Sequence, residues 1–244
     1  MGTVATLSGK QEIFRLKRFD VAIVDEATQI LEPQILGLLC NRNEKGEDTI
    51  GKFILIGDHK QLPAVVLPSS VHTEVYDESL CAMGITNLRD SLFERLYNTV
   101  GCNKASDMLC KQGRMHPDVA YFSNIHFYGG KLETVGLLHQ KEKWEPISMA
   151  GTEGRILLNQ RITFFPSEAE SPASSAKVKH SGASIVTKLA ACLYERTGEA
   201  FDPTRTLGII TPDRSQIALI KKEIARLGID ALNNILVDTV ERFQ

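Results

Sequence analysis

Short apolar runs alternate along the chain with longer stretches whose apolar residues recur at helical spacing. Phe19–Val24 (FDVAIV) is apolar and β-branched on consecutive positions, which predicts a buried strand of a parallel sheet. Phe53–Ile56 (FILI) repeats the pattern and Gly57-Asp58 ends it. Between them, Ile30–Cys40 has Leu31, Ile35, Leu38 and Leu39 near one helical face, and Asn41–Gly51 has the polar, glycine-containing composition of a loop.

Further on, Ser91–Tyr97 predicts a short amphipathic helix and Asp107–Lys111 a strand. A helix is expected from Pro117, since proline fits the first helical turn, and Gly129-Gly130 marks a turn. Ile162–Phe165 predicts another strand. Ser167–Ser184, rich in Ser, Ala and Lys with Pro172, predicts a mobile segment. Helix Ile185–Arg196, strand Thr206–Ile210, helix Ser215–Leu227 stopped by Gly228, and a strand starting at Ile235–Val237 follow. This alternation predicts an α/β chain with parallel sheets. The first strands and the last are expected in separate sheets, with residues 1–100 and 101–244 as two domains joined near Asn98–Ser106.

Composition narrows the picture modestly. Hydrophobic residues make up 43% of the 244 positions and charged residues 24%, an ordinary globular balance. No apolar run approaches the roughly 18 residues of a membrane span. Cys40, Cys81, Cys102, Cys110 and Cys192 form no CxxC, so the spacing gives no zinc or iron–sulfur pattern and fits reduced thiols of an intracellular, cytoplasmic or nuclear chain. A net charge of -2 neither requires nor excludes a nucleic-acid partner, so that question falls to individual sites.

Three stretches carry candidate chemistry. In VAIVDEATQ (Val21–Gln29) an apolar strand ends in Asp25 and Glu26. Ligands of open α/β sheets sit beyond the carboxyl ends of strands. There one carboxylate can hold Mg²⁺ through its waters while the next orients or deprotonates an attacking water. A strand that merely runs into an acidic turn gives the same dipeptide. IGDHKQLP (Ile56–Pro63) follows a second strand and places Asp58 and Gln61 at the same edge; an uncharged amide can register a γ-phosphate and pass its loss to a loop stiffened by Pro63. QGRMHP (Gln112–Pro117) offers Arg114 to stabilise charge on a transferring phosphate, although a lone arginine is more often a surface residue. His116 lacks a nearby His or Cys partner in sequence, which favours a structural role.

Together these stretches resemble the superfamily 1B helicases, in the branch of the nonsense-mediated-decay helicase and the replication helicase-nuclease. DEATQ resembles motif II of that family, GDHKQLPAVV motif III, QGRMHP motif IV, IITPDRSQ (Ile209–Gln216) motif IVa and VDTVERFQ (Val237–Gln244) the start of motif V. The resemblance implies a RecA-like P-loop NTPase fold in two tandem parts, with ATP and Mg²⁺ as cofactors and single-stranded DNA or RNA as partner. It implies that Asp25 coordinates Mg²⁺, Glu26 is the catalytic base, Gln61 senses the γ-phosphate and Arg114 is an arginine finger. It further places Gln29, Gly57, Asp58 and Gln112 around the nucleotide, and Thr3 (in TVATLS), Pro63, Thr211, Pro212 and Thr239 on the nucleic-acid path, with Gln244 as the motif V glutamine.

Departures from the family pattern matter. Gly113 stands where family members commonly carry an aromatic residue that stacks on adenine, so that stacking is lost or supplied elsewhere. His180 and Gly182-Ala183 stand near where an Asn and a Glu-Ala pair usually open the helix. No GxxxxGK[ST] occurs in the 244 residues, so the sequence predicts the central piece of a longer motor with little ATPase activity by itself. The alternative is a non-catalytic, helicase-like module that binds nucleic acid or a protein partner.

Overall fold

The structure is a computed structural model that describes residues 1–10, 12–66, 72–100, 105–143, 160–167 and 178–243. The chain divides into two compact units, Met1–Cys110 and Lys111–Gln244. Gln244 and residues 168–177 of the expected mobile segment lie outside the described residues.

The recurrent local unit is a strand, a helix and a parallel strand, the arrangement that parallel pairing demands because the chain must cross over. In the first unit β1 (Ala22–Val24) and β2 (Phe53–Leu55) pair in register Ala22 to Phe53 and Val24 to Leu55, joined through α3 (Glu32–Leu39). Ahead of them lie α1 (Val4–Ser8) and α2 (Glu12–Leu16); behind come α4 (Glu78–Ala82) and α5 (Leu92–Val100). Phe14, Val24, Ala27, Ile35, Leu38 and Leu92 form the core. The strand is shorter and less buried than its sequence predicts. Alternate side chains leave a strand on opposite faces, so Val24 is buried while Ile23 on the other face is 66% exposed. Pro33 occupies the first turn of α3, whose start is capped by the Gln34 side chain accepting from the Leu31 amide at 3.1 Å.

In the second unit β3 (Lys111–Gln112) pairs in parallel with β4 (Glu133–Thr134) across α6 (Pro117–Tyr128), and α7 (Leu138–Lys141) follows. The expected strand at Asp107–Lys111 therefore begins only at its last residue, where β4 supplies a partner. The expected strand Ile162–Phe165 does not form; Ile162 and Phe164 are exposed, and Arg161 beside them is drawn to the Glu142 carbonyl and the Asp118 carboxylate. Helix α8 (His180–Thr197) starts inside the segment expected to be mobile. The Gln216 amide fixes its entry by accepting from the Lys179 N–H at 2.8 Å and donating to the Lys179 carbonyl at 2.9 Å. Strands β5 (Gly208–Ile210) and β6 (Leu236–Asp238) pair in parallel across α9 (Arg214–Ala225) and α10 (Asp230–Asn233). Ala183, Ala190, Ile209, Ile220, Ile224, Leu232, Ile235 and Val237 form the core of this part.

Candidate functional site

In the first unit the carboxyl ends of β1 and β2 converge. The Ile56 amide donates to the Val24 carbonyl at 2.8 Å, and the Ala27 amide donates to the Ile56 carbonyl at 2.8 Å. The acidic turn after β1 and the loop after β2 are thus stitched through the main chain. Glu26 adopts φ 51 and ψ 40, the one positive-φ residue other than glycine among the described residues. That left-handed conformation costs roughly 1–2 kcal/mol for a residue with a Cβ. It turns the chain sharply into the short 3-10 helix Ala27–Gln29. Asp25 and Glu26 are both exposed, the Asp25 carboxylate accepts the Glu26 amide at 3.0 Å, and neither side chain has a cationic partner among the described residues. Two adjacent exposed carboxylates without a counter-ion among the described residues fit a divalent cation and a proton-accepting role.

Gly57 follows β2 at closest approach to this turn. A Cβ there would lie 3.0 Å from Thr28 Cγ2, 3.1 Å from the Thr28 nitrogen and 3.3 Å from the Ala27 nitrogen. The glycine is therefore required by proximity to main chain. Beyond it, Asp58 organises its own loop: its carboxylate accepts the Lys60 amide and the Gln61 side-chain amide, each at 3.0 Å. Gln61 is exposed and held by Asp58 in its place on the loop. The Gln29 side-chain amide donates to the Leu62 carbonyl at 2.5 Å, so Gln29 ties the turn after β1 to the loop that reaches Pro63, which is itself exposed. His59 packs its ring 4.4 Å from that of Tyr97 on α5. Helix α5 is fastened in turn by Arg95, whose guanidinium bonds Glu32 at 2.7 and 2.5 Å with both side chains largely buried.

In the second unit Arg114 sits on a loop whose main chain is held closely. Gln112 closes it locally, donating to the Met115 carbonyl at 2.9 Å and accepting the Met115 amide at 2.8 Å. Both ends of the Gln112 amide, expected at the nucleotide, are thus engaged inside the loop. His116 caps α6, with Nδ1 accepting the Asp118 amide at 3.2 Å and Nε2 lying 3.1 Å from the Glu142 carbonyl, which assigns the proton to Nε2. The structural role expected of His116 is the one observed. Arg114 is exposed and has no hydrogen bond or ion pair among the described residues. A Cβ at Gly113 would lie 3.3 Å from Leu137 Cδ1 and 3.4 Å from Val135 Cγ2, so any side chain there requires those two to give way.

The remaining expected residues fall at the ends of β5 and β6 and at the start of the chain. Thr211 is 3% exposed, its amide donates to the Asp238 carbonyl at 3.1 Å, and its hydroxyl is buried without a partner. Pro212 beside it is exposed. Thr239 donates its hydroxyl to Glu241, which with the main-chain amide of Glu241 holds that carboxylate below the usual range. Thr3 caps α1 by accepting the Thr6 amide at 3.2 Å. The hydroxyls of Thr3 and Thr239 therefore already have intramolecular partners, whereas that of Thr211 has none among the described residues.

Two family models, each described as an AAA domain, match residues 2–69 and 88–244. The DNA replication ATP-dependent helicase/nuclease DNA2 of Homo sapiens is 31% identical over 250 residues, covering 95% of this chain and 21% of that protein. The protein of the same name from Gallus gallus is 29% identical over 233 residues, covering 95% of the chain and 19% of its own length. Helicase SEN1 of Saccharomyces cerevisiae is 27% identical over 237 residues, covering 93% and 9%.

The chain belongs to the superfamily 1 helicases. It spans about a fifth of the length of the helicase/nuclease relatives it matches. Its α/β architecture with parallel strand pairs is the RecA-like kind expected of such helicase domains. No helix among the described residues is long and apolar enough to cross a membrane.

Sequence reasoning missed the residues that hold these loops. Glu32 and Arg95 lie 63 positions apart, and the Gln140 amide reaches Gln112 from 28 positions away. No local periodicity or spacing marks such partners.

Proposed function

We propose that residues 1–244 form the central part of an ATP-dependent helicase or translocase that moves on single-stranded DNA or RNA. The reading is carried by the stitched ends of β1 and β2, where Asp25, Glu26 and the Asp58–Gln61 loop share one edge and the two acidic residues have no counter-ion among the described residues. Asp25 would hold Mg²⁺, which when bound would supply positive charge to the nucleotide phosphates. Glu26 accepts the proton of the attacking water. Gln61 senses the γ-phosphate from a loop that Asp58 shapes, and Gln29 links that loop to the acidic turn through Leu62. Arg114 brings positive charge to the phosphate being transferred.

Nucleic acid runs past Thr3, Pro63, Thr211, Pro212 and Thr239, where contacts to phosphate fix position without reading sequence. Residues 1–100 and 101–244 are read as parts of two tandem RecA-like domains. With no GxxxxGK[ST] among the 244 positions, this stretch alone turns ATP over slowly.

Phosphate release by the complete protein, with and without single-stranded DNA or RNA, tests the reading. Strand-stimulated release supports it. Strand binding without any ATP hydrolysis would select the non-catalytic binding module instead.

A further inference from the structure

Gln140 is 4% exposed and satisfies every hydrogen-bonding position of its carboxamide. Its Nε2 donates to the carbonyls of Gln112 and Met115, each at 3.0 Å. Its Oε1 accepts the amides of Gly136 and Leu137 at 3.0 and 3.1 Å. The neighbouring His139 places Nε2 2.9 Å from the Gly113 carbonyl. A carbonyl only accepts, so that nitrogen carries the proton, and it remains a donor whether the ring is neutral or protonated. The carbonyls of residues 112, 113 and 115 are thus all taken by the side chains of one adjacent pair. Arg114 stands between them, exposed and without a partner among the described residues.

We propose that Gln140, assisted by His139, is the positioning residue for Arg114: it fixes the main chain on both sides of the arginine so that the guanidinium is presented in one geometry. This rests on the reading of Arg114 as a phosphate-facing residue. A buried amide with four saturated bonds resists displacement, because breaking any one leaves a buried polar group unpaired. Gln140 touches no substrate in this account; its influence on turnover passes through the loop.

Gln140→Glu separates the two halves of the clamp. A carboxylate still accepts from Gly136 and Leu137, yet it donates nothing to Gln112 and Met115 and repels their carbonyls. In the complete protein, ATP turnover, KM and thermal unfolding are measured for Gln140→Glu, Arg114→Ala and the double variant. Arg114→Ala is expected to lower kcat by about 10³-fold, and Gln140→Glu by about 10²-fold with KM for ATP little changed, as for a displaced catalytic group. The double variant matches Arg114→Ala alone, because both changes remove one contribution. His139→Phe lowers kcat in the same direction by less.

Gln140→Glu at wild-type kcat while Arg114→Ala falls would overturn the proposal and leave the function intact. Additive losses in the double variant would also overturn it, assigning Gln140 to general stability. Wild-type kcat in Arg114→Ala would reject the reading of Arg114 itself. Hydrogen exchange covers a folding defect: Gln140→Glu keeps Gly136 and Leu137 protected, and loss of that protection counts against the selective clamp.

Discussion

The acidic turn of the first unit and the Arg114 loop of the second are both short connections at the end of a strand, and they are held in different ways. The acidic turn is fixed by main chain: strand-end amides bond strand-end carbonyls, Glu26 takes the left-handed conformation, and Gly57 lies so near the turn that a Cβ on it would fall 3.1 Å from the Thr28 nitrogen. The Arg114 loop is fixed by side chains, chiefly Gln112 and Gln140, from within the loop and from 28 positions away. If Asp25 holds a metal ion as proposed, it gains from backbone restraint, which has no rotamer freedom to lose. Arg114, proposed to face the transferring phosphate, sits on a loop that the Gln112 and Gln140 carboxamides hold.

Breaking the side-chain support of the first unit has the largest expected effect on stability. Arg95→Met leaves the Glu32 carboxylate, in a residue 8% exposed, without its cation. The expected cost is about 3 kcal/mol, read by urea unfolding.

Gly57→Ala tests the backbone contact directly. The methyl group would meet Thr28 Cγ2 and the main-chain nitrogens of Thr28 and Ala27, so the turn must shift. An expected cost of about 2 kcal/mol, with a larger fall in turnover than Arg95→Met causes, separates a displaced site from a merely weakened unit.

Glu26→Asn sharpens the contrast in the opposite direction. Asparagine tolerates the left-handed conformation better than glutamate, so stability rises by about 0.5–1 kcal/mol while turnover is lost. A melting temperature that falls instead would mean that the Glu26 side chain, and not its conformation, supports the turn.

The same contrast explains what the sequence made legible. VAIVDEATQ and IGDHKQLP carry their restraints within a few residues of the groups they hold, so the strand ends, the carboxylates and the Asp58–Gln61 loop could all be placed beforehand. His116 was also readable as structural, because Pro117 directly follows it at the start of α6. Gln140 and His139 were not readable. They sit on the four-residue helix α7, too short to show periodicity, and their partners are carbonyls that any sequence possesses. The strand expected at Asp107–Lys111 was misplaced for a related reason: a strand exists where a partner pairs with it, and β4 meets only Lys111–Gln112. The exposed Ile23 shows that an apolar run does not report how many faces of its strand are covered.

The most direct test of the central claim compares nucleotide binding and hydrolysis in the complete protein carrying Glu26→Gln. The substitution keeps shape and removes the proton acceptor. ATP affinity near the wild-type value together with abolished strand-stimulated phosphate release is the predicted result. Wild-type hydrolysis by Glu26→Gln would contradict the assignment of the acidic turn as the catalytic centre.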